Sequence, residues 1–420
     1  MVSPLVVRAQ APDVKAIKAG KLFDSERGVL LTKQTILVSG NTITAVGSEV
    51  QIPRGATLID LSEYTVLPGL IESHSHLLME HPGTEDNTLT VTKAVALEGD
   101  VLRALRGVPR AKSYLEEGYT TVRDVGNAGQ FADVALKRAI DEGSVVGPRL
   151  YVSGPGLAAE GGQVPGLAPG QTHFIAGEYR IIRGVEDARL AVREHVYHGA
   201  DLIKIYSNSS PNKTYLSVEE MKAIVEEAHL HQLKVTAHAT TDLAIRRAVR
   251  AGVDGIEHGY VVADSTLQLM RERKVVLVPT DMDFLLAKKQ VDKLKMNLSR
   301  EQIRDLAKPY HERLLRARRA NTTIAAGSDM YMDLGLSRGQ AAKRVLFAYA
   351  EAGLPLNEIL QAATWNGAQL LGEPRLGRLQ AGAWADLIAV KGNPLEDLSA
   401  LEKVVLVLKN GQLVLSTRQP

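Results

Sequence analysis

Two histidines, His74 and His76, follow the apolar run at residues 64–71. Side chains alternate along a β-strand, so residues i and i+2 point to the same side. A strand that ends in His-x-His therefore presents two imidazoles together, which is half of a typical metal site. Two ordinary polar residues at a strand end would give the same pattern, so the pair alone leaves both interpretations open.

Four more residues of ligand or acid–base type lie at or near the ends of predicted strands. They are Lys204, His238, His258 and Asp329. Each has a structural alternative, because a histidine at a strand end is commonly just hydrogen-bonded and an aspartate after Gly-Ser can form a turn. The convergence of the whole set on strand ends is not expected by chance, so the sequence predicts a metal centre.

Lys204 is the unusual member of this set. It lies among Leu202, Ile203 and Ile205, where a buried ammonium is costly. An ammonium only donates hydrogen bonds and is no metal ligand. Reaction with carbon dioxide would turn its amine into a carbamate, whose two anionic oxygens can bridge two metal ions. Two metal ions held close together make hydroxide available at neutral pH. Asp329 could carry the proton from the attacking water to the leaving group.

The two ends of the chain read as short strands separated by turns. Residues 39–41 and the Asn410-Gly411 pair are turn signals, and Asn-Gly is the strongest short hairpin signal. We predict a small composite β-sandwich domain built from residues 1–67 and 375–420.

Strands and helices alternate in the middle of the chain, at residues 68–374. We predict eight strands, at residues 70–74, 120–124, 149–153, 202–206, 234–238, 255–258, 275–278 and 322–326. Eight β–α units in roughly 300 residues is the count and size of a (β/α)8 TIM barrel, an α/β fold whose catalytic residues lie at the carboxyl ends of the strands. A doubly wound open sheet would show the same alternation.

Residues 154–177 depart from this alternation. They are rich in Gly, Pro and Ala and show little periodicity. Long segments without structure are uncommon in compact domains and often form lids or binding loops. A passive surface insertion is the alternative.

Composition sets the class of protein. The 420 residues are 45% hydrophobic and 23% charged, which is typical of a soluble globular protein with one large and one accessory domain. The net charge of +2 offers no basis for binding nucleic acid or an anionic membrane, and no apolar run reaches the ~20 residues of a membrane helix. Because there is no cysteine, disulfides and thiolate metal sites are excluded. Residues 9–11 (Ala-Gln-Ala) fit either the remnant of an export signal or the start of a cytoplasmic protein.

The chain resembles the amidohydrolase superfamily of metal-dependent hydrolases. The resemblance rests on the six residues above and on three flanking segments, residues 68–74, 120–124 and 199–206. These segments are similar to the imidazolonepropionase-related branch, which contains Xaa-Pro dipeptidases, carboxypeptidases for N-acyl amino acids, and ochratoxin amidohydrolases. The resemblance covers nearly the whole chain.

The resemblance implies two divalent metal ions, most simply zinc, and a role for each residue. His74, His76 and Asp329 would hold the first ion, His238 and His258 the second, and carbamylated Lys204 would bridge them. Asp329 would also shuttle the proton. Tyr206, Tyr331 and Gln163 are the candidate substrate contacts, and packing inside the barrel is the alternative for Tyr206. Many relatives carry Gly-His-Gly in the long loop, whereas residues 160–163 here read Glu-Gly-Gly-Gln, so the substrate recognition by that histidine does not carry over.

The implied activity is hydrolysis of an amide or peptide bond to a C-terminal amino acid in a small-molecule substrate. A dipeptide, an N-acyl amino acid and an ochratoxin-type aromatic amide are the candidate substrates, and the family's members are commonly homo-oligomers. Lactone or phosphotriester hydrolysis on the same metal pair is an alternative, as is a non-catalytic binding protein. Compartment and native metal stay open.

Overall fold

The structure is a computed structural model that describes residues 14–126 and 129–417. Residues 9–11 lie outside these ranges. The strands within them are β1 (Val14–Asp24), β2 (Val29–Ser39), β3 (Thr42–Gly47), β4 (Thr57–Pro68), β5 (Leu70–Ser75), β6 (Tyr119–Asp124), β7 (Arg149–Val152), β8 (Gly156–Ala158), β9 (Tyr179–Ile181), β10 (Leu202–Tyr206), β11 (Asn208–Ser209), β12 (Thr214–Tyr215), β13 (Lys234–Ala239), β14 (Gly255–His258), β15 (Val276–Val278), β16 (Leu387–Val390), β17 (Val404–Lys409) and β18 (Gln412–Ser416).

The helices alternate with the central strands. They are α1 (Asn87–Lys93), α2 (Gly99–Glu116), α3 (Ala132–Asp141), α4 (His173–Ala176), α5 (Val185–His198), α6 (Val218–Leu230), α7 (Asp242–Ala251), α8 (Asp264–Glu272), α9 (Phe284–Lys293), α10 (Arg300–Arg319), α11 (Arg338–Glu351), α12 (Leu356–Ala362) and α13 (Trp365–Leu371). A π-helical turn at Ala94–Glu98 joins α1 to α2. None of these helices combines the length and the apolar character of a membrane span.

Strands from both ends of the chain lie in one seven-stranded sheet. Its order is β18-β17-β16-β4-β1-β2-β3, so β16 from the C-terminal part pairs with β4 from the N-terminal part. Its inward side chains are fully buried, among them Ile17, Ile36 and Leu387. The two ends of the sequence, although far apart along the chain, therefore share one sheet.

The middle of the chain forms parallel sheets covered by helices. One has six strands in the order β15-β14-β13-β10-β8-β9, and the other has three in the order β5-β6-β7. All pairs within them are parallel. The predicted α/β class is confirmed. Seven of the eight predicted central strands correspond to β5, β6, β7, β10, β13, β14 and β15. Ser217 and Glu220 form the predicted capping box of α6.

An aspartate joins the two parallel sheets. The backbone N–H of Asp201 donates to the carbonyl of Val152 at 2.8 Å, and its Oδ2 accepts the N–H of Val152 at 3.0 Å. Asp254 makes the same two bonds to Val235, at 2.8 and 2.9 Å. Both aspartates lie two residues after a left-handed glycine that ends a helix, so the local pattern Gly-x-Asp returns the chain to the sheet.

The predicted eighth strand, at residues 322–326, is wrong as a regular strand. Only one bridge forms there, between Leu277 and Ile324. The backbone of this segment forms hydrogen bonds with two different elements. The N–H of Ala325 donates to the carbonyl of Leu277 at 2.9 Å, while the carbonyl of Ala326 accepts the N–H of Ser73 at 2.9 Å. The side-chain amide of Asn366 donates a hydrogen bond to the carbonyl of Ile324 at 2.8 Å. Because its partners lie on different elements, the segment links β15 to β5 without forming a ladder of its own.

The segment at residues 154–177 contains more structure than its composition indicates. It includes β8, which pairs with β10 and β9, a 3-10 turn at Pro169–Gln171, and α4. The absence of periodicity reflects elements of three or four residues, which are too short to show a repeat.

Candidate active site

Three of the predicted ligands form a tight group. Nε2 of His74 lies 3.2 Å from Nε2 of His76, and the same two atoms lie 3.4 and 3.1 Å from Oδ1 of Asp329. One ligand atom from each residue falls within 4.8 Å of the others. The backbone N–H of Asp329 donates to the carbonyl of His74 at 2.8 Å, which holds the aspartate beside the end of β5.

The imidazoles of this group are oriented through their Nδ1 atoms. Nδ1 of His74 lies 2.6 Å from Oε2 of Glu257, and Nδ1 of His76 lies 2.7 Å from the carbonyl of Gly126. A carboxylate and a carbonyl only accept here, so each Nδ1 donates and each Nε2 is left with a free lone pair. A carboxylate or carbonyl behind a histidine is the usual support of a metal-binding imidazole.

Glu257 is itself held in the core. It is fully buried, it forms an ion pair with Arg123, and it accepts a hydrogen bond from the hydroxyl of Thr236. Burial alone would raise its pKa, but Arg123 and His74 outweigh burial and the pKa of Glu257 falls below its usual range. The carboxylate is therefore charged behind His74.

His238 and His258 face each other next to this group. Their ring centroids lie 4.6 Å apart, and that of His258 lies 5.1 Å from that of His74. Nδ1 of His258 is 2.8 Å from the hydroxyl of Thr280. Nε2 of His238 is buried and has no hydrogen-bond partner among the described residues. Burial, with the charge of Lys204, lowers the pKa of His238 to about 3, so this imidazole is neutral and able to bind a metal ion.

Lys204 lies on β10 within the same surroundings. It is 1% exposed, and its Nζ lies 5.2 Å from the ring centroid of Tyr206. Burial lowers the pKa of Lys204 to about 8, against the opposing charges of Glu257 and Asp329. An amine with this pKa is partly neutral at physiological pH, and the neutral amine is the form that reacts with carbon dioxide.

The backbone is strained at two of these positions. His258 has φ of 70° and Asp329 has φ of 53°, in the left-handed region that side chains with a Cβ rarely adopt. Gly327 provides the close approach: a Cβ on it would lie 2.8 Å from the backbone nitrogen of His74. Strain of this kind persists where the surrounding structure imposes it, commonly at functional sites.

A cavity of about 320 Å³ opens over these side chains. It brings together every site residue that the sequence suggests, namely His74, His76, Lys204, His238, His258, Asp329, Tyr206, Tyr331 and Gln163. The side-chain amide of Gln163 donates a hydrogen bond to the carbonyl of Asn208 at 3.0 Å.

Sequence reasoning missed other residues of the site. Tyr179, Tyr260 and His81 also line the cavity, and Glu257 supports it from behind. Glu257 carried one signal, because a carboxylate directly before a strand-end histidine in an apolar strand must find a buried partner. His81 and Tyr260 follow ligand residues closely in sequence, but no periodic pattern marks them.

The donor set fits a metal centre. Neutral imidazoles and one carboxylate are the ligands that zinc and related divalent ions prefer. The unpartnered buried Nε2 of His238 is the kind of atom that a bound ion would satisfy.

Comparison with known proteins decides the family. The family model described as the amidohydrolase family matches residues 65–414. The chain belongs to the amidohydrolase family. It is 31% identical to ochratoxinase of Aspergillus niger over 98% of this chain and 88% of that protein. It is 24% identical to imidazolonepropionase of Deinococcus deserti, over 88% of each chain.

Solved structures agree with this assignment. A Xaa-Pro dipeptidase with bound methionine superimposes with a TM-score of 0.82 at 29% identity, over 96% of this chain and all of that one. The structure of A. niger ochratoxinase gives a TM-score of 0.81 at 29% identity, over 97% of each chain. The resemblance seen in the sequence is confirmed, and this amidohydrolase is an enzyme that hydrolyses amide bonds.

Proposed function

We propose that this amidohydrolase is a binuclear metal-dependent enzyme that cleaves the amide or peptide bond to a C-terminal amino acid. The observation that carries the proposal is the shared cavity: six side chains from four strands and from the segment after α10 line it, and His74, His76 and Asp329 already bring their ligand atoms within 4.8 Å.

The fold in this proposal is a closed (β/α)8 barrel, capped by a β-sandwich formed by the sheet of both termini. Closure is supported by backbone bonds between the sheets. Asp201 donates to Val152 between β7 and β10, and Ser73 donates to Ala326 between β5 and the segment after α10. The division at residues 67/68 and 374/375 stays a prediction.

The metal site in this proposal uses all six residues. His74, His76 and Asp329 would hold one ion and His238 and His258 the other, with a carbamate on Lys204 between them; zinc suits these ligands. Two bound ions would supply hydroxide at neutral pH and polarise the substrate carbonyl.

Asp329 is the proton carrier in this scheme. Its Oδ1 lies beside His74 and His76, while its Oδ2 lies 3.9 Å from Nδ1 of His258, so the carboxylate spans the group. Burial would raise its pKa, but the neighbouring His74 and His76 hold the pKa of Asp329 well below its usual range. The carboxylate is therefore ionised, which is the form that can take the proton of the attacking water and pass it to the departing amine.

The substrate class follows from the relatives. The similar proteins include an ochratoxinase and a Xaa-Pro dipeptidase. We propose dipeptides, N-acyl amino acids and aromatic amides of the ochratoxin type for this enzyme. A cavity of about 320 Å³ accepts a molecule of this size.

A substrate panel with metal analysis tests the proposal. Zinc-loaded enzyme is assayed on an Xaa-Pro dipeptide, an N-acyl amino acid, ochratoxin A, a lactone and an aryl phosphotriester. We expect about two metal ions per chain and turnover of at least one amide substrate above the lactone and the phosphotriester. Preference for either of the latter would reassign the bond class, and a metal-free, inactive protein would indicate a binding function.

We also propose that the protein forms a homo-oligomer through an apolar strip at the start of α2. Leu97, Val101 and Leu105 recur every four residues and are 78, 77 and 62% exposed. If two copies pair antiparallel about a two-fold axis near Val101, Leu97 of one copy lies against Leu105 of the other. Beside the strip, Glu98 and Arg106 pair within one chain at 2.6 Å, so the strip is bordered by charges that are already neutralised.

Light scattering after size exclusion tests this surface. Val101→Arg should shift the mass of the particle downwards, whereas Leu230→Arg, at another exposed leucine on α6, should leave it unchanged. An unchanged mass for Val101→Arg would exclude the strip as the interface.

A further inference from the structure

His81 lines the catalytic cavity but stands outside the proposed ligand set. Its backbone is fixed on both sides: its N–H donates to the carbonyl of Tyr331 at 2.9 Å, and its carbonyl accepts the N–H of Asp333 at 3.0 Å. The imidazole therefore sits at a defined place on the cavity wall, beside the strand end that carries His76.

The tautomer of this imidazole is set by a neighbour. The backbone N–H of Gly83 donates to Nδ1 of His81 at 2.9 Å. Nδ1 is therefore an acceptor, and the proton of the neutral ring must be on Nε2. No described residue accepts a hydrogen bond from that Nε2–H, which leaves a donor on the cavity wall.

Three other polar side chains of the cavity are engaged with protein groups. The amide N–H of Asn87 donates to the carbonyl of Gln163 at 2.8 Å, and that of Gln163 donates to Asn208. The hydroxyl of Tyr260 lies 3.3 Å from Nδ1 of His258. His81 thus offers a donor that the protein itself does not use.

The ring of Tyr331 connects His81 to the metal-ligand group. Its centroid lies 5.6 Å from that of His76 and 6.1 Å from that of His81, edge-on to both. A substrate whose scissile carbonyl lies at His74, His76 and Asp329 carries its terminal carboxylate one residue further on. His81 lies beyond Tyr331 on the wall of the same cavity and offers a donor on that side.

We propose that Nε2–H of His81 binds the terminal carboxylate of the substrate and makes the enzyme specific for amides with a free C-terminal carboxylate. A carboxylate that leaves water needs a directed donor, and a hydrogen bond to a charged group is stronger than one between neutral groups. This inference rests on the proposed function and names the residue that sets its substrate class.

Two variants of His81 differ in whether they present an N–H donor at the position of Nε2. Asparagine keeps an acceptor for Gly83 through its side-chain oxygen but presents no donor at the position of Nε2, whereas glutamine reaches that position with an N–H. His231→Asn, at a half-exposed histidine that contacts Glu227 at 3.7 Å, is the matched control. Melting curves and metal content confirm that each variant is folded and loaded.

The probes are an N-benzoyl amino acid and the same compound as its C-terminal carboxamide, with benzoate release as the readout. Wild-type enzyme should prefer the free acid. His81→Asn should lower kcat/KM for the acid roughly 10- to 100-fold, mainly through KM, and should remove the preference. His81→Gln should restore much of it, and His231→Asn should match wild type.

Two results would overturn this inference. One is an unchanged acid-to-carboxamide ratio in His81→Asn, whether both rates fall or neither does; the other is a wild-type enzyme that shows no preference. Failure of the proposed function itself is seen earlier, because wild-type enzyme would then release no benzoate from either probe.

Discussion

Glu257 accepts a hydrogen bond from Nδ1 of His74 at 2.6 Å, from a position 183 residues further along the chain. The contact lies in the core, where both residues are fully buried, and Arg123 holds the carboxylate from its other side. His74 is consequently fixed in the tautomer whose Nε2 faces His76 and Asp329. The geometry of the candidate metal site thus depends on a residue that does not touch the cavity.

Replacing Glu257 with Gln tests this support. We expect the affinity for the metal to fall roughly 10- to 100-fold, which is typical of losing such a partner. Chelator competition measures the affinity, and Glu226→Gln, at a surface carboxylate on α6, serves as the control. Because Arg123 loses its buried partner, the variant should also melt at a lower temperature. Unchanged metal affinity in a folded variant would remove Glu257 from the site.

Asp329→Asn tests the proton carrier. An amide oxygen still binds a metal ion but does not carry a proton, so we expect metal to stay bound while kcat falls roughly 10²- to 10⁴-fold. Asp333→Asn is the matched control on the same segment, since the carboxylate of Asp333 bonds only to Lys293 and Gly335 among the described residues. An active Asp329→Asn enzyme would be incompatible with the proposed role.

Lys204→Ala tests the bridging carbamate. We expect metal content to fall from about two ions per chain to about one, with loss of activity, because one alanine cannot replace a ligand shared by both ions. Lys234→Ala, at a partly exposed lysine on the adjacent β13, should keep full metal content.

A direct readout of the same group uses ¹³C-labelled carbon dioxide. Wild-type enzyme should show a carbamate carbon signal by NMR that Lys204→Ala lacks. The signal should be weaker when metal is loaded well below pH 8, because the pKa of Lys204 is about 8 and only the neutral amine reacts. The same signal in Lys204→Ala would place the carbamate elsewhere.

Asp201 predicts a pH-dependent stability. Burial raises the pKa of its carboxyl from 3.8 to about 6, against the opposing charge of Lys137. Between these values the folded state holds a proton that the unfolded state has released, so this group's contribution to stability is present below pH 4 and is lost as the pH rises through 6. Asp201→Asn, which still accepts the N–H of Val152, should gain roughly 1–2 kcal/mol on wild type between pH 4 and pH 7.

Thermal melting of the loaded proteins at several pH values measures this difference. Asp254→Asn is the geometric control, because Asp254 makes the same two backbone bonds but also pairs with Lys234 at 2.8 Å and His229 at 2.9 Å. That variant loses ion pairs and should be less stable than wild type. A stability difference for Asp201→Asn that does not change with pH would contradict the assignment.

The sequence by itself determined the residue types of the site and their placement at strand ends. Alternation along a strand is a local property, and the carboxyl ends of parallel strands meet at one edge whether the sheet is open or closed. His74, His76, His238 and His258 were therefore predictable. The capping box of α6 and the Asn410-Gly411 hairpin are local in the same sense.

Only the tertiary structure decided what supports these residues. The bond from His74 to Glu257, the position of His81 across Tyr331 from His76, and the divided hydrogen bonds of residues 322–326 each join parts of the chain that are far apart in sequence. Such contacts depend on the register in which whole strands pair and on how loops return to the cavity. Neither is encoded in a short periodic pattern, so the types of the candidate ligands follow from local rules while their orientation follows from long-range packing.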